Sequence, residues 1–504
     1  MSRDQNPVLI GVAQSIQRKD DLADTVGPLE MMIEIARSAA EDSGASAGVA
    51  GVLAAADTLS VVSLIGTRST NPPDGLAREL GIDPKRKLMT RVGGEMPLVL
   101  VNELAGRIAE GESEVALVLG ANPLASMMKA RKLGAELDWL GTGEGKPELM
   151  GTTEPGTHPR EVQHGLATPP EIYPLLEHAL RGRRGLSPEA HAANLGALMA
   201  PFTEVAAANP YSWFPVARSA EELITPSPSN RMVADPYTKY LNAVLYTDQA
   251  AGVILASEAA ADRLGVPEEK RVRWWGGARA NERAWFVSER PELGDAPAMR
   301  ACAQRTLDSA GVSIDEIDHM DLYSCFPVAV EMGCESFGVA EDDPRGLTTT
   351  GGLPYHGGPA NNYTLHGLAT VAERCRANPG SVGLATGNGW YLTKHSANVW
   401  STRPRPGDGP PKADQSELAA GPEPVPVEDA PEGEGRVESY TVTYGRDGQP
   451  KLGIVLGRLL DGERRFIANL AGGPEALADF ARGDALGRRG RVEPGEERNL
   501  FRPA

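Results

Sequence analysis

Two stretches far apart in the chain carry one pattern. Gly93-Gly94 is followed nine residues on by Asn102, then by Leu104-Ala105, and the apolar run 115–119 closes on Gly120-Ala121-Asn122. Gly357-Gly358 is followed nine residues on by His366, then by Leu368-Ala369, and the run 382–384 closes near Gly387-Asn388. From first glycine to closing asparagine the two blocks span 29 and 31 residues. Each reads as a glycine-rich turn, a buried helix and a strand ending in a small-residue loop, so the chain contains a duplicated α/β unit. Two such halves facing each other bring both turns and both strand ends to one crevice. Ligands of open α/β sheets sit there, outside the carboxyl ends of the strands.

The rest of the first half keeps the rhythm. Apolar runs at 8–13, 58–62 and 115–120 read as buried strands, and 29–40 and 97–108 as helices. Strands apolar on both faces and separated by helices imply a parallel sheet covered on both sides. Residues 125–245 break the alternation with Trp139, Trp213 and the run Thr225-Pro226-Ser227-Pro228. We read them as an insertion with helices at 171–181 and 188–199. Alternation resumes at 250–256 and continues to 402. A chain of 504 residues is too long for one core, so several packed units are expected. The expected division is 1–264 with its insertion, 265–402, a linker at 403–436 and a small domain at 437–504. The linker holds eight of the 40 prolines and almost no large apolar side chain, which fits a solvated, semi-extended segment. The tail alternates in strand fashion around Asp447-Gly448 and Asp461-Gly462, both hairpin signals, and reads as a β-rich, barrel-like domain.

Charge narrows the partners. The net charge of −18 argues against nucleic acid, whose backbone is bound by Lys and Arg. The tail is nearer neutral, with 11 Lys+Arg against 10 Asp+Glu. No stretch approaches the roughly 18 apolar residues of a membrane span. The start, Met1-Ser2-Arg3-Asp4, lacks a basic segment followed by an apolar one, so no signal peptide is expected and the cytoplasm is the expected location. Cys302, Cys325, Cys334 and Cys375 show no metal-ligand spacing and are expected as free thiols; no metal is expected.

Several residues could carry chemistry. Cys325, in Asp321-Leu322-Tyr323-Ser324-Cys325-Phe326-Pro327, stands near a helix start, where unpaired amides favour a thiolate; its plain alternative is a small buried hydrophobe. The loop Gly351-Gly352-Leu353-Pro354-Tyr355-His356-Gly357-Gly358-Pro359 holds one histidine among glycines that let backbone approach a ligand. Asn361 or Asn362 caps the helix after it. Ala385-Thr386-Gly387-Asn388-Gly389 offers a tight turn lining a pocket. Glu95 at a helix start is also what the dipole alone would favour. His366 and His395 read as pocket-wall residues, His158, His164 and His178 as residues of the insertion. Arg231 and Lys239 are candidates for meeting phosphates.

With these motifs in view, residues 7–402 resemble the thiolase superfamily, nearest the sterol-carrier-type thiolases and their bacterial thiolase-like relatives, often named acetyl-CoA acetyltransferases. Thr247-Asp248-Gln249-Ala250-Ala251-Gly252-Val253 resembles the segment after the family's loop domain, and the tail resembles the extra C-terminal domain of thiolase-like proteins. The resemblance implies a thiolase fold. Two βαβαβαββ halves form a layered α-β-α-β-α core, with a loop domain inserted in the first. It implies a CoA thioester as substrate or ligand, no other cofactor, a place in lipid metabolism, and an acyltransferase if the protein is active. The family dimerises or tetramerises through its core halves; the added tail leaves monomer and dimer both open.

The family's catalytic residues do not carry over. Its nucleophilic Cys falls at Glu95 or Met96, and the His of its Gly-His-Pro motif at Gly358, with His356 two residues earlier. The Cys of its Cys-x-Gly motif falls at Ala385, and its Asn-Glu-Ala-Phe motif reads Tyr323-Ser324-Cys325-Phe326. A thioether cannot attack a thioester and glycine cannot take a proton, which argues against thiolysis or Claisen condensation. Three readings stay open: a CoA or acyl-CoA binder, a retro-aldol lyase using Tyr323 as acid/base with His356 or Tyr355 assisting, and a scaffold or acyl-CoA sensor. The expected pocket floor is Tyr323, Cys325, His356, Asn388 and Glu95. Met96, Gly94, Gly358 and Gly387 line the substrate, the glycine amides facing any oxyanion.

Overall fold

The computed structural model describes residues 3–66, 70–137, 139, 143–406, 416–462 and 464–504. Met1 and Ser2, and the stretch 407–415 within the Pro-rich segment, lie outside the described residues.

The duplication seen in the sequence is a duplication of sheet topology. In the first half the strands run Arg86–Thr90, Thr58–Val61, Val115–Pro123, Asp248–Ser257, Pro7–Ile16 across the sheet. In the second the order is His319–Asp321, Val382–Gly389, Lys394–Ser401, Val272–Glu282. The last four strands of the first half and the four of the second have the same arrangement. The halves meet edge to edge, Val8 opposite Arg273 and Leu9 opposite Val272, so the whole is one eleven-stranded sheet. The sheet is mixed rather than parallel. Pro7–Ile16 and Asp248–Ser257 pair antiparallel, as do Val382–Gly389 and Lys394–Ser401. Apolar runs cannot signal direction: a strand covered on both faces is uniformly apolar whichever way it runs.

Between the halves lie two helices, Met96–Ala109 and Tyr363–Ala377. Pro97 in the first turn suits a helix start, where its missing N–H is not needed. Leu98, Val101, Leu104 and Ile108 of one helix and Leu365, Leu368, Val371 and Ala372 of the other form one core with Val118, Val253, Trp274 and Trp400 from the strands. Outside the first half, Pro28–Asp42 and Glu258–Leu264 pack on the far face; outside the second, Pro297–Ala310 and Pro327–Phe337 do so. The layering is α-β-α-β-α.

The insertion contains Pro169–Arg184, held at its start by the Thr168/Glu171 capping box, and Pro188–Ala208, begun by Ser187. A strand of the insertion, Glu148–Met150, pairs with Arg86–Thr90 and covers that edge of the sheet. The tail's strands Gly433–Tyr444, Pro450–Leu459, Arg465–Leu470, Leu500–Pro503 and Arg489–Glu493 pair in a closed ring, with the helix Pro474–Arg482 against it. Asp447-Gly448 and Asp461-Gly462 do turn hairpins within it. Its first strand begins at Gly433, inside the Pro-rich stretch.

The described part of that stretch lies against the core. Ala419–Ala420 pair with Asn281 and Glu282, Val427–Glu428 pair with Arg465 and Phe466, and Arg405 donates to Trp275 O at 2.9 Å. The barrel is likewise anchored to the insertion. Arg181 grips Asp484 at 2.7 Å, His178 stacks on Tyr440 at 4.2 Å, and Ile454, Leu456 and Ile467 share a core with Leu175 and Leu176. Composition shows no such docking because short backbone ladders need no apolar side chains. Among the described residues, no helix is long and apolar enough to cross a membrane.

Candidate functional site

The site is built where the core helix of the first half meets the strand ends of the second. Glu95 immediately precedes the helix Met96–Ala109 and is 2% exposed. Its Oε1 pairs with Lys394 Nζ at 2.7 Å, and that ammonium also donates to Val92 O at 2.9 Å and lies 5.4 Å from the Trp390 ring. Glu95 Oε2 is buried with no hydrogen-bond partner. The carboxylate is wedged against backbone: a Cβ on Gly389 would sit 1.7 Å from Glu95 Oε2. Lys394 opens the last strand of the second half and belongs to no motif, so only the antiparallel pairing that brings this strand back under the helix reveals it.

Tyr323 follows the strand His319–Asp321, its N–H donating to Thr386 Oγ1 at 2.8 Å. Its hydroxyl reaches Gly94 so closely that a Cβ there would lie 2.4 Å from it, which only glycine allows. Burial, then the neighbouring Cys325 and Glu95, hold the phenol well above its ordinary pKa. Asn388 donates to Tyr173 Oη at 2.9 Å and to Cys325 Sγ at 3.7 Å, while its Oδ1 is buried and unpartnered. Tyr173 comes from the insertion, stacks on Phe326 at 4.3 Å and donates to Trp390 O at 3.0 Å. Tyr323, Cys325, Asn388, Glu95, Gly94 and Gly387 thus converge, closed on one side by Tyr173, which no motif pointed to.

Cys325 does not have the activated thiol of a helix start. It lies two residues before Pro327–Phe337, and burial pushes its thiol up to about 12, the opposite of the dipole expectation. Desolvation outweighs the hydrogen bonds that Tyr173, Asn388 and the backbone offer this sulfur.

His356 is elsewhere. It is fully buried, receives a 3.4 Å contact from Asn209 Nδ2 on Nδ1, and leaves Nε2 unpartnered; burial pulls its pKa down to about 3. The Tyr363 ring stands between, 6.0 Å from His356 and 5.5 Å from Tyr323. Gly358's amide is already donated to Val244 O at 2.8 Å, so it is not free to face an oxyanion. Met96 Sδ points instead toward Gly151. His366 bonds Gln14 at 2.9 Å and stands 5.0 Å from His356, and His395 lines the void beside Tyr323. His158 begins the helix Pro159–Gln163, His164 accepts from Asn499 N in the barrel, and His178 bonds Asp235. Arg231 and Lys239 donate to carbonyls of their own loop, Met232 O and Ser229 O. Asn361 and Asn362 do not cap the next helix through their side chains. Asn361 donates to Ser63 O and Asn362 to Gly120 O, tying the halves together.

The void at Tyr323 and Asn388, lined also by Met299, Thr386 and Ala397, has a volume of about 20 Å³. That holds one water molecule. Larger hollows lie away from it: about 480 Å³ beside Asn209, Tyr211 and Thr370, and about 340 Å³ between the insertion and the barrel at Arg160 and Asn499.

Residues 415–497 match the family described as thiolase-like protein type 1 additional C-terminal domain. No curated protein matches the chain in sequence. Among solved structures the chain is similar to a monomeric SCP2-thiolase like protein type 1 from Mycobacterium smegmatis, with 36% identity over 99% of each chain and a TM-score of 0.83. It shares the fold of an acetyl-CoA acetyltransferase from Syntrophomonas wolfei, at 16% identity and TM-score 0.57 over 79% of this chain and 99% of that one. It also shares the fold of the Ltp2-ChsH2(DUF35) aldolase, at 17% identity and TM-score 0.59 over 79% and 98%.

Proposed function

The chain belongs to the type 1 SCP2-thiolase-like proteins, and from that premise we propose that it recognises a CoA thioester without forming a covalent acyl-enzyme. The observation that carries this reading is the Glu95–Lys394 pair. The two positions at which the resemblance puts a nucleophilic thiol hold Met96, a thioether, and Glu95, a carboxylate already paired with an ammonium. A paired carboxylate is a poor nucleophile, and no imidazole reaches it. The base expected two residues before Gly358 is behind Tyr363 and held neutral by burial. Losing a nucleophile and its base together removes most of a catalytic cycle rather than part of it.

The test joins two measurements on the whole chain. Intact-mass spectrometry after incubation with acetyl-CoA should show no added acetyl group; acylation at stoichiometric level refutes the reading. Thermal melting with CoA, acetyl-CoA and a bulky acyl-CoA should show stabilisation of about 2.7 kcal/mol at a hundredfold excess over Kd. No shift with any of them removes the ligand and leaves a scaffold. The void beside Tyr323 is water-sized, so the melting experiment also reads the cost of widening it for an acyl group.

A second reading is supported by Tyr323 itself. A phenol kept protonated beside Gly94 can give its proton to the enolate left when a β-hydroxyacyl thioester breaks its carbon–carbon bond, the acid half of a retro-aldol cleavage, and one protein that shares this fold is an aldolase. Tyr323→Phe abolishes carbon–carbon cleavage if that reading holds and leaves ligand binding intact. As to assembly, we read the chain as a monomer. The sheet edge Arg86–Thr90 is covered by Glu148–Met150, and the similar protein from Mycobacterium smegmatis is monomeric.

A further inference from the structure

A second buried polar cluster lies where the insertion meets the second half, away from the Glu95–Lys394 pair. Glu177 comes from the helix Pro169–Arg184, His191 from Pro188–Ala208 and Glu331 from Pro327–Phe337. One ligand-capable atom from each falls within 4.8 Å of the others, and all three residues are at most 1% exposed. His191 Nε2 and Glu177 Oε1 share a hydrogen bond at 2.7 Å, and Tyr237 Oη donates to Glu177 Oε2. Arg184 reaches Glu331 Oε1 at 2.7 Å, while Glu331 Oε2 is fully buried and the only group it meets among the described residues is the Glu177 carboxyl, with which it can share a proton. His191 Nδ1 is buried without a partner.

The charges do not close. Arg184 is shared among Glu331, Glu335 and Glu341, and Arg183 pairs only with Glu335. Counting Glu177, four carboxylates face two guanidinium groups, and the two deepest are Glu177, bonded to His191 and Tyr237 rather than to a guanidinium, and Glu331, which shares Arg184 with two others. An uncompensated charge in a dry interior costs several kcal/mol, so the pair must carry either protons or a cation. Two carboxylates, an imidazole and a nearby phenol are a donor set for a divalent transition-metal ion. A Zn²⁺ ion at about 2.1 Å from each donor spaces tetrahedral ligands by about 3.4 Å. The His191–Glu177 contact therefore opens by about 0.7 Å, and any pair of the three as wide as 4.8 Å closes by about 1.4 Å. Glu335 and Glu341, partly exposed, lie on the solvent side of the same arginine.

We propose that Glu177, His191 and Glu331 bind a divalent transition-metal ion of the Zn²⁺ class. The ion staples two helices of the insertion to one of the second half. Tyr173 lies one turn before Glu177, and Cys325 lies just before the helix that carries Glu331, so the staple also fixes the walls of the site at Asn388. The test uses the full chain, stripped with chelator and titrated by calorimetry with ZnCl₂ and then with MnCl₂. Elemental analysis of the loaded protein follows. The expected result is one tightly bound ion per chain and a melting midpoint that rises with the ion. Both are lost in His191→Ala and in Glu331→Gln, the latter keeping the shape of the site. Substoichiometric metal with an unchanged midpoint in the wild-type chain overturns the proposal. So does ion uptake that persists in both variants. Should a variant fail to fold, the wild-type stoichiometry alone decides.

Discussion

Replacing Lys394 by methionine keeps the length of the side chain and removes only its charge. Glu95 is then left buried without its sole hydrogen-bonding cation, since Oε2 already lacks a partner and Oε1 bonds to Lys394. Side-chain exposures of 4% and 3% leave water no route to either group, so the loss approaches the full cost of breaking a buried pair, about 3–5 kcal/mol. The reverse change, Glu95→Gln, is milder. Lys394 keeps Val92 O at 2.9 Å and the Trp390 face at 5.4 Å, the latter worth about 1 kcal/mol. The double variant removes both charges and should recover part of the loss of Lys394→Met alone, giving a coupling of about 1–3 kcal/mol. Urea unfolding of the four proteins, followed by far-UV circular dichroism, measures the cycle. If Lys394→Met costs no more than Glu95→Gln, or if the coupling is near zero, the pair is solvated and the argument against a nucleophile at this position fails.

Two further outcomes follow from burial. His356 and His395 have pKa values pulled down to about 3 and that of His366 is also held well below its ordinary value, all chiefly by burial, so each is neutral in the folded chain and takes a proton only on unfolding. Below about pH 6.5 the unfolded chain binds more protons than the folded one. Stability is therefore present above that pH and lost as pH falls toward 3, by up to about 4 kcal/mol per unit with three imidazoles. His356→Gln should flatten the pH dependence of the urea midpoint between pH 6 and 4, by about one third of that slope; an unchanged slope refutes it. Arg465→Met removes a guanidinium bonded to Glu438 at 2.7 Å and to the carbonyls of Ser288, Arg290 and Pro291. It should destabilise by about 3 kcal/mol and let limited proteolysis release the tail sooner. Unaltered cleavage would mean the barrel is held by its apolar contacts alone.

The sequence by itself showed the duplicated turn-helix-strand unit, several core helices and strands, the insertion as a break in rhythm and the strand-rich tail, but not the strand directions or the remaining core strands. The former follow from local periodicity and turn chemistry, which neighbouring residues share and a reader can count. It also determined which thiolase residues are missing, because that is a matter of identity at aligned positions. The partnerships were decided only by the fold. Lys394 meets Glu95 across 299 residues of chain because an antiparallel strand returns beneath the core helix. Tyr173 reaches Asn388 from the insertion, and Tyr363 separates His356 from Tyr323 although their motifs lie close in sequence. The thiol of Cys325 was legible as a residue and not as a chemical state. Its pKa depends on how far water is excluded, and exclusion is a property of three packed elements rather than of any one segment. The docking of the barrel escaped composition for a similar reason: the ladders at Ala419–Ala420 and Val427–Glu428 are made by backbone, which every residue supplies alike.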